Sequence, residues 1–531
     1  MSPPLETDRD LRARFAQGGG VYRIVPAAVA RPTTHAELVA VLAAARAAGL
    51  AVTPRGAGSA MDGGNVGEGV VLDLTAYDTG QCVVDAAARL VTCSPSVTIP
   101  AVNRAAASHR LHLPMDPSSA GWATLGGLVG TNAAGARTVR DGAMRRWVEA
   151  LTLETEDGPL TLRRGVSPEA SHPVIQRWQR DVVPLLARHR AAIESRWPRT
   201  RKSSFGYDLA AWWERGDLLD LVVGAEGTLG VVTEVTVRLA PIAAERLAMR
   251  VVLAERALLA PALETVRRYD PAVLEFLDGS FLRLVEADVP TGSSALLLVD
   301  LEGDDADAVA SRAASLQAAL AALGNGVTEA AVATDPVAVS ELWRVRHGAS
   351  PRLAALTDGR QSMQIIEDGC VPPAMLGHYL DAVDAACRSA RIDAVMFGHA
   401  GDGHVHVNLL PNLRDADWLD RCRSVYGAVA AALLALGGTP AGEHGAGRLR
   451  APLIERFLGA ETVECFRAIK TAFDPAHRFN PGVILDDGRD PLTRLKVGAD
   501  AAPLPDGMAE ALAAVEREGR WGESRWTSDD R

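Results

Sequence analysis

Hydrophobic and polar positions alternate strictly over residues 404–409, which predicts a strand with two unlike faces. Val405, Val407 and Leu409 make the apolar face, while His404, His406 and Asn408 make the other. Elsewhere the period is helical. In "HAELVAVLAAARAAGL", residues 35–50, Leu38, Val41, Leu42 and Ala45 recur at helix spacing behind Thr33 and Thr34. "DADAVASRAASLQAALAALG" predicts another long helix, and "VEALTLETEDGPL" a hairpin. After Pro241, strands alternate with helices, which predicts an α+β domain over about 242–450. Residues 451–485 read as helices ending in a Pro-Gly loop. A polar tail follows, with one short helix near Met508–Glu518.

Three stretches of small residues interrupt this pattern: "PRGAGSAMDGGNVG" (54–67), "DPSSAGWATLGGLVGTNAAGA" (116–136) and "GAEGTLGVVTE" (224–234). The first is not a Rossmann fingerprint, because Met61 stands where a glycine is needed, and no Walker sequence is present. Its backbone N–H groups suit a pyrophosphate, and a plain surface loop is the alternative. Three such loops, each at the end of a strand, suit one extended ligand such as a dinucleotide.

Composition narrows the classes. A chain of 531 residues with 48% hydrophobic and 23% charged residues has room for roughly two to four domains. The net charge of −11 argues against a nucleic-acid partner. The six cysteines form no CxxC pair, which argues against an iron–sulfur cluster, a zinc knuckle or a disulfide scaffold. No secretory signal or run of about 18 apolar residues is visible, so a cytoplasmic protein is expected, with peripheral membrane contact still open.

The chain has 12 histidines, and three of them lie in "FGHAGDGHVHVN" (397–408). His399 precedes the Gly-Asp-Gly turn and can fold back beside His406. Glu443, in "AGEHGAG", offers a carboxylate, and imidazoles with a carboxylate suit zinc or manganese. A hydrogen-bonded histidine strand without a ligand is the bland alternative.

These segments together carry a resemblance. "RGAGSAMDGGNVGEGVVLDLT", "MDPSSAGWATLGGLVGTNAAGAR", "VGAEGTLGVVTEVTVRL", "FGHAGDGHVHVN", "GEHGAGRLRAP" and "FDPAHRFNPGVIL", in this order, resemble the FAD-linked oxidases of the vanillyl-alcohol-oxidase/PCMH flavoprotein fold. The branch they resemble contains the D-lactate, glycolate and D-2-hydroxyglutarate dehydrogenases, and the likeness spans about 20–485. It implies an α+β chain. After an N-terminal extension (1–20) comes a two-subdomain PCMH-type FAD-binding domain (21–241). A substrate or cap domain (242–450) and a C-terminal helical segment returning to the flavin (451–485) follow, and then the tail (486–531).

The resemblance implies noncovalent FAD, since the first loop has no histidine or cysteine to bond it. Pro54, Arg55, Gly56, Ala57, Gly58, Ser59, Gly64 and Asn65 would wrap the pyrophosphate. Asp116, Ser118, Thr124, Gly126, Gly127, Asn132 and Gly135 would line the second side. Glu226, Gly230 and Val231 would touch the ribityl chain or ring, and Asn480 would approach from the C-terminal segment. The resemblance also implies a divalent metal, zinc or manganese, on His399, His406 and Glu443, with His444 as base. Arg346 and Ser350 would hold the substrate carboxylate, and Asn408 a substrate oxygen. Lys202 and Tyr207, in "RKSSFGYDL", are weaker candidates.

Some positions depart from the family pattern. Met115 replaces a usual proline, Ser94–Ser96 replaces a Pro-Gly turn, and His404 stands where asparagine is usual. His404 is therefore either a spectator or a group acting behind a ligand. In the tail, "AVEREGRWGESR" puts Glu518 and Ser524 where a related iron–sulfur module has cysteines, so the tail reads either as a remnant of such a module or as an unrelated helix.

The expected activity is FAD-dependent oxidation of a D-2-hydroxy acid, of the D-lactate or D-2-hydroxyglutarate class, to the 2-oxo acid. Electrons would pass to a separate acceptor: a quinone, a cytochrome, an electron-transfer flavoprotein or dioxygen. A homodimer is compatible with the sequence. The alternatives are a metal-independent FAD-linked oxidase of an alcohol or sugar using dioxygen, or a flavin-binding subunit of a larger redox complex.

Overall fold

The computed structural model of the chain describes residues 5–526 except 79, 81, 348–351, 354, 355 and 357. Helix His35–Ala47 forms as its pattern demands. Thr34 caps it by accepting from Glu37 N–H, and Leu38, Val41 and Ala45 are its buried face. That face packs on a three-stranded parallel sheet ordered Ala28–Ala30, Val70–Asp73, Val52–Arg55. Val52–Arg55 and Val70–Asp73 are parallel neighbours. The chain must therefore return the full strand length between them, and the first glycine loop makes that return.

A five-stranded antiparallel sheet follows, ordered Cys82–Asp85, Leu90–Cys93, Val231–Arg238, Val148–Thr155, Gly158–Arg163. Its last two strands are the expected hairpin. The third sheet has seven antiparallel strands. Their order is Val327–Ala333, Glu245–Leu253, Ala295–Gly303, Val273–Asp278, Asp393–Gly398, His404–Leu410, Gly369–Cys370. Helices Leu259–Arg267 and Ala306–Ala321 bury Leu263, Val266, Val309 and Leu316 in its core.

Charge as well as apolar packing ties the short helix Thr138–Asp141 to the third sheet. Arg137 grips Glu302 through two bonds of 2.8 Å, and Arg140 adds a third at 2.7 Å. Burial pushes the Glu302 carboxyl up, but the two guanidiniums outweigh it and hold the pKa at about 2.

The N-terminal segment wraps the first glycine loop. Arg55 donates to the carbonyls of Phe15 and Gln17, and a Cβ on Gly19 would lie 2.5 Å from the Ser59 carbonyl oxygen. The tail closes over the same place. Helix Met508–Glu518 forms where its pattern put it. Beyond it, Trp526 donates to Asp73 (2.7 Å) and stands edge-on to Phe15. Ser524 accepts from the Trp526 N–H. Among the described residues no helix is long and apolar enough to cross a membrane.

Candidate active site

The three small-residue loops converge on one cleft. It encloses about 1260 Å³, counting its solvent-open part. Pro54, Arg55, Gly56, Ala57, Gly58, Ser59, Gly64 and Asn65 line one wall. Ser118, Thr124, Gly126 and Gly127 line a second, and Glu226 and Gly230 a third. Glu443 and His444 close one end. The glycines are needed because the loops touch. A Cβ on Gly56 would sit 2.2 Å from Thr124 Oγ1, and one on Gly126 would sit 2.8 Å from Pro95 Cβ. A long cleft walled by backbone, with a helix start at Leu125, fits the FAD expected from the sequence.

Five residues expected at the cofactor do not reach its cleft. Val231 points into the small core with Val52, Leu72 and Phe479, and strand alternation brings Val232 to the cleft instead. Asn132 is a left-handed helix cap whose Oδ1 accepts from Arg145 N–H (2.9 Å). Gly135 presses on the Asp116 carbonyl, only 2.2 Å from where its Cβ would be. The Asp116 side chain is exposed, within electrostatic range of Glu275 and His399. Asn480 is fully buried behind the loops and binds them together: its Nδ2 donates to Gly64 O (2.7 Å) and Glu226 O (2.8 Å). The Glu226 carboxylate likewise looks inward, accepting from Ala446 and Gly447 N–H.

At the His444 end lies the histidine cluster. Strand His404–Leu410 is buried on both faces. His399 Nε2 is 3.3 Å from His406 Nε2 and 3.2 Å from Glu443 Oε1, and His406 Nε2 is 3.4 Å from the same oxygen. Ligand bonds of about 2.0–2.2 Å around a tetrahedral cation give edges of about 3.3–3.6 Å. The spacing thus fits a divalent ion. His444 Nε2 is 3.5 Å from Glu443 Oε1, and its ring stacks on His406.

Buried charges hold these rings. Glu275 bonds His399 Nδ1 with one oxygen and Arg346 Nε (2.9 Å) with the other. Burial raises the Glu275 carboxyl, but His399 and Arg346 bring it down to about 2. Burial disfavours the His399 imidazolium, yet Glu275 and Glu443 lift its pKa to about 9. Glu367 accepts from His444 Nδ1 (2.8 Å) and is gripped by buried Arg450. Against the cost of burial, Glu367, Asp368 and Glu443 raise His444 to about 10. Lys202 Nζ donates to Glu443 Oε2 (2.8 Å), leaving Oε1 toward the histidines. Asp368 accepts from the backbone N–H groups of Glu443 (3.1 Å) and His444 (3.0 Å), and so fixes that turn.

Arg346 lies over the Phe397 ring (4.5 Å) and shares Glu275 with His399, so it is beside the cluster. Asn408 is buried and accepts from Ser362 Oγ (3.1 Å). Tyr207 is not at the site: its hydroxyl meets Thr228 (2.8 Å) in the core. Ser350 lies outside the described residues. Sequence reasoning missed Glu275, Glu367, Asp368 and Arg450. A signal existed for three of them: Glu275 interrupts the apolar run "AVLEFLD", and Glu367–Asp368 follow "SMQII".

Comparison with known proteins agrees with this architecture. Residues 26–162 match the family described as "FAD binding domain", and residues 245–484 match "FAD linked oxidases, C-terminal domain". Glycolate oxidase subunit GlcD of Bacillus subtilis (strain 168) is 28% identical over 471 residues, 87% of this chain and 89% of the relative. D-lactate dehydrogenase of Archaeoglobus fulgidus is 29% identical over 468 residues, 86% and 91% of the two chains. D-2-hydroxyglutarate dehydrogenase of Xanthomonas citri pv. viticola is 28% identical over 481 residues, 87% and 89%. Among solved structures, an alkyldihydroxyacetonephosphate synthase superposes with a TM-score of 0.61 at 14% identity, over 91% of this chain and 82% of that one. That likeness shows the fold, the one expected from the sequence. By its two matched domains and by these relatives, the chain belongs to the FAD-linked oxidase family and is an FAD-linked oxidoreductase.

Proposed function

We propose that the protein oxidises a D-2-hydroxy acid of the D-lactate or D-2-hydroxyglutarate class to the 2-oxo acid. The observation that carries this reading is the His399–His406–Glu443 cluster meeting His444 at one end of the cofactor cleft. The named activities of the relatives support the substrate class. A hydroxy acid presents a carboxylate, a hydroxyl and an α-hydrogen. Among the described residues Glu275 engages only Nε of Arg346, which leaves the two terminal guanidinium nitrogens to grip a carboxylate. In its neutral form, reached once the charge of the surrounding carboxylates is offset, His444 Nε2 takes the hydroxyl proton, and Glu367 on Nδ1 holds the ring in the tautomer that can do so. Glu275, behind His399, fixes that ring and the arginine in one geometry. A divalent metal held by His399, His406 and Glu443 would supply Lewis acidity and offset the surrounding carboxylates. Bound FAD supplies the two-electron acceptor, and its electrons then leave to a separate acceptor. Anaerobic bleaching of the flavin by a panel of D- and L-2-hydroxy acids, before and after chelator treatment, tests the proposal. D-acids should bleach, and chelator should abolish it. Bleaching only by alcohols or sugars, unaffected by chelator, would replace this reading with the metal-independent oxidase.

A further inference from the structure

His404 is fully buried, yet only half of its ring has a partner. Nε2 lies 2.8 Å from Asp368 Oδ1. Asp368 already accepts backbone N–H groups from Glu443 and His444, so it faces His404 as an acceptor and Nε2 carries the ring proton. That tautomer leaves a lone pair on Nδ1. Among the described residues no hydrogen-bond donor meets it: Nδ1 is buried without a partner, 3.9 Å from Glu443 Oε2. A buried acceptor left so costs about 1–3 kcal/mol. The ring also stands against the cluster, 4.6 Å from the His406 ring and 5.4 Å from that of His399. One donor atom from each of His399, His404, His406 and Glu443 can be chosen so that all lie within 4.8 Å of one another.

We infer that His404 is a fourth protein ligand of the cation, bonding through Nδ1, with Asp368 as the carboxylate behind it. The inference rests on the metal reading given above. It mirrors the pairing of Glu275 with His399, where a carboxylate on one ring nitrogen leaves the other for the cluster. Three imidazoles and one carboxylate form a nitrogen-rich set. Such a set favours zinc, cobalt or iron(II) over magnesium or calcium. Four protein donors also favour a cation that accepts five or six bonds when substrate binds.

The test uses the full flavin-loaded chain, depleted of metal and titrated with cobalt(II) as probe. Visible absorption reads the ligand field, and competition with a chromogenic chelator reads affinity. His404→Asn should weaken cobalt binding at least about tenfold and change the visible bands, with flavin content retained. Wild-type affinity and an unchanged spectrum in His404→Asn would overturn the inference and leave the metal reading standing. A wild-type chain that binds no cobalt would overturn both. Should the variant fail to fold, cobalt K-edge absorption on the wild-type protein decides the matter: three imidazoles are expected, and two would refute the fourth ligand.

Discussion

The cofactor cleft and the histidine cluster meet at His444 but are built in opposite ways. The cleft is made by leaving side chains out. Its walls are loops whose glycines allow them to lie against each other, as at Gly56 beside Thr124 and Gly126 beside Pro95. The cluster is made by forcing charge in. Lys202, Glu275, Glu367, Asp368 and Arg450 are all buried around four histidines. Omission is tolerant of the exact partner, whereas buried charge is tolerable only when every partner is present. The two regions should therefore fail differently when disturbed.

The largest effect should come from the base. His444→Ala is expected to lower kcat by about 10²–10⁴-fold while leaving flavin bound, read by stopped-flow bleaching beside the flavin spectrum. If the variant instead loses flavin, His444 belongs to the cleft and the contrast weakens.

Removing one partner of a buried pair comes next. Lys202→Met leaves the buried Oε2 of Glu443 without its ammonium partner and should cost about 3–5 kcal/mol in denaturant unfolding. Lys202→Met with wild-type stability would mean that Oε2 does not depend on the ammonium.

The cleft should yield more mildly. Gly230 lines it at φ +150, and a Cβ there would lie 2.5 Å from the Glu154 carbonyl oxygen. Gly230→Ala is expected to cost roughly 1–3 kcal/mol and to lower flavin content in the purified protein. Full flavin occupancy with unchanged melting would show that the wall can give.

The smallest effect belongs to the clamp of Arg137 and Arg140 on Glu302. The Glu302 pKa lies at about 2, below its ordinary value of 4.5. Its contribution is therefore complete above about pH 4.5 and is lost as pH falls toward about 2. After allowance for solvent screening this amounts to about 1–2 kcal/mol. Glu302→Gln should melt lower at pH 7 and lose less on acidification than the wild type. Parallel pH–melting curves for both proteins would remove Glu302 from the clamp.

The difference in construction also explains what could be read in advance. A glycine loop is contiguous, so the residues picked out between Pro54 and Asn65, with Thr124, Gly126 and Gly127, do line one cleft together. Val231 and Asn480 do not, because which neighbour faces the cleft depends on strand register and on packing from behind. The strand pattern gave His404 and His406 one face, and the rings do lie together. The carboxylates that orient the rings of the cluster lie far off along the chain: Glu275 is 124 residues from His399, Glu367 is 77 from His444 and Asp368 is 36 from His404.

Local sequence thus determined the helices, the strand alternation, the small-residue loops and the His399, His406 and Glu443 donor types. These depend on periodicity, backbone freedom and side-chain chemistry, all properties of short stretches. Tertiary structure alone decided which carboxylate stands behind each histidine, that Lys202 takes one oxygen of Glu443, and that His404 has an unpartnered nitrogen beside the cluster. Those pairings depend on distances between separate strands and loops, and burial makes each one costly to leave unmet.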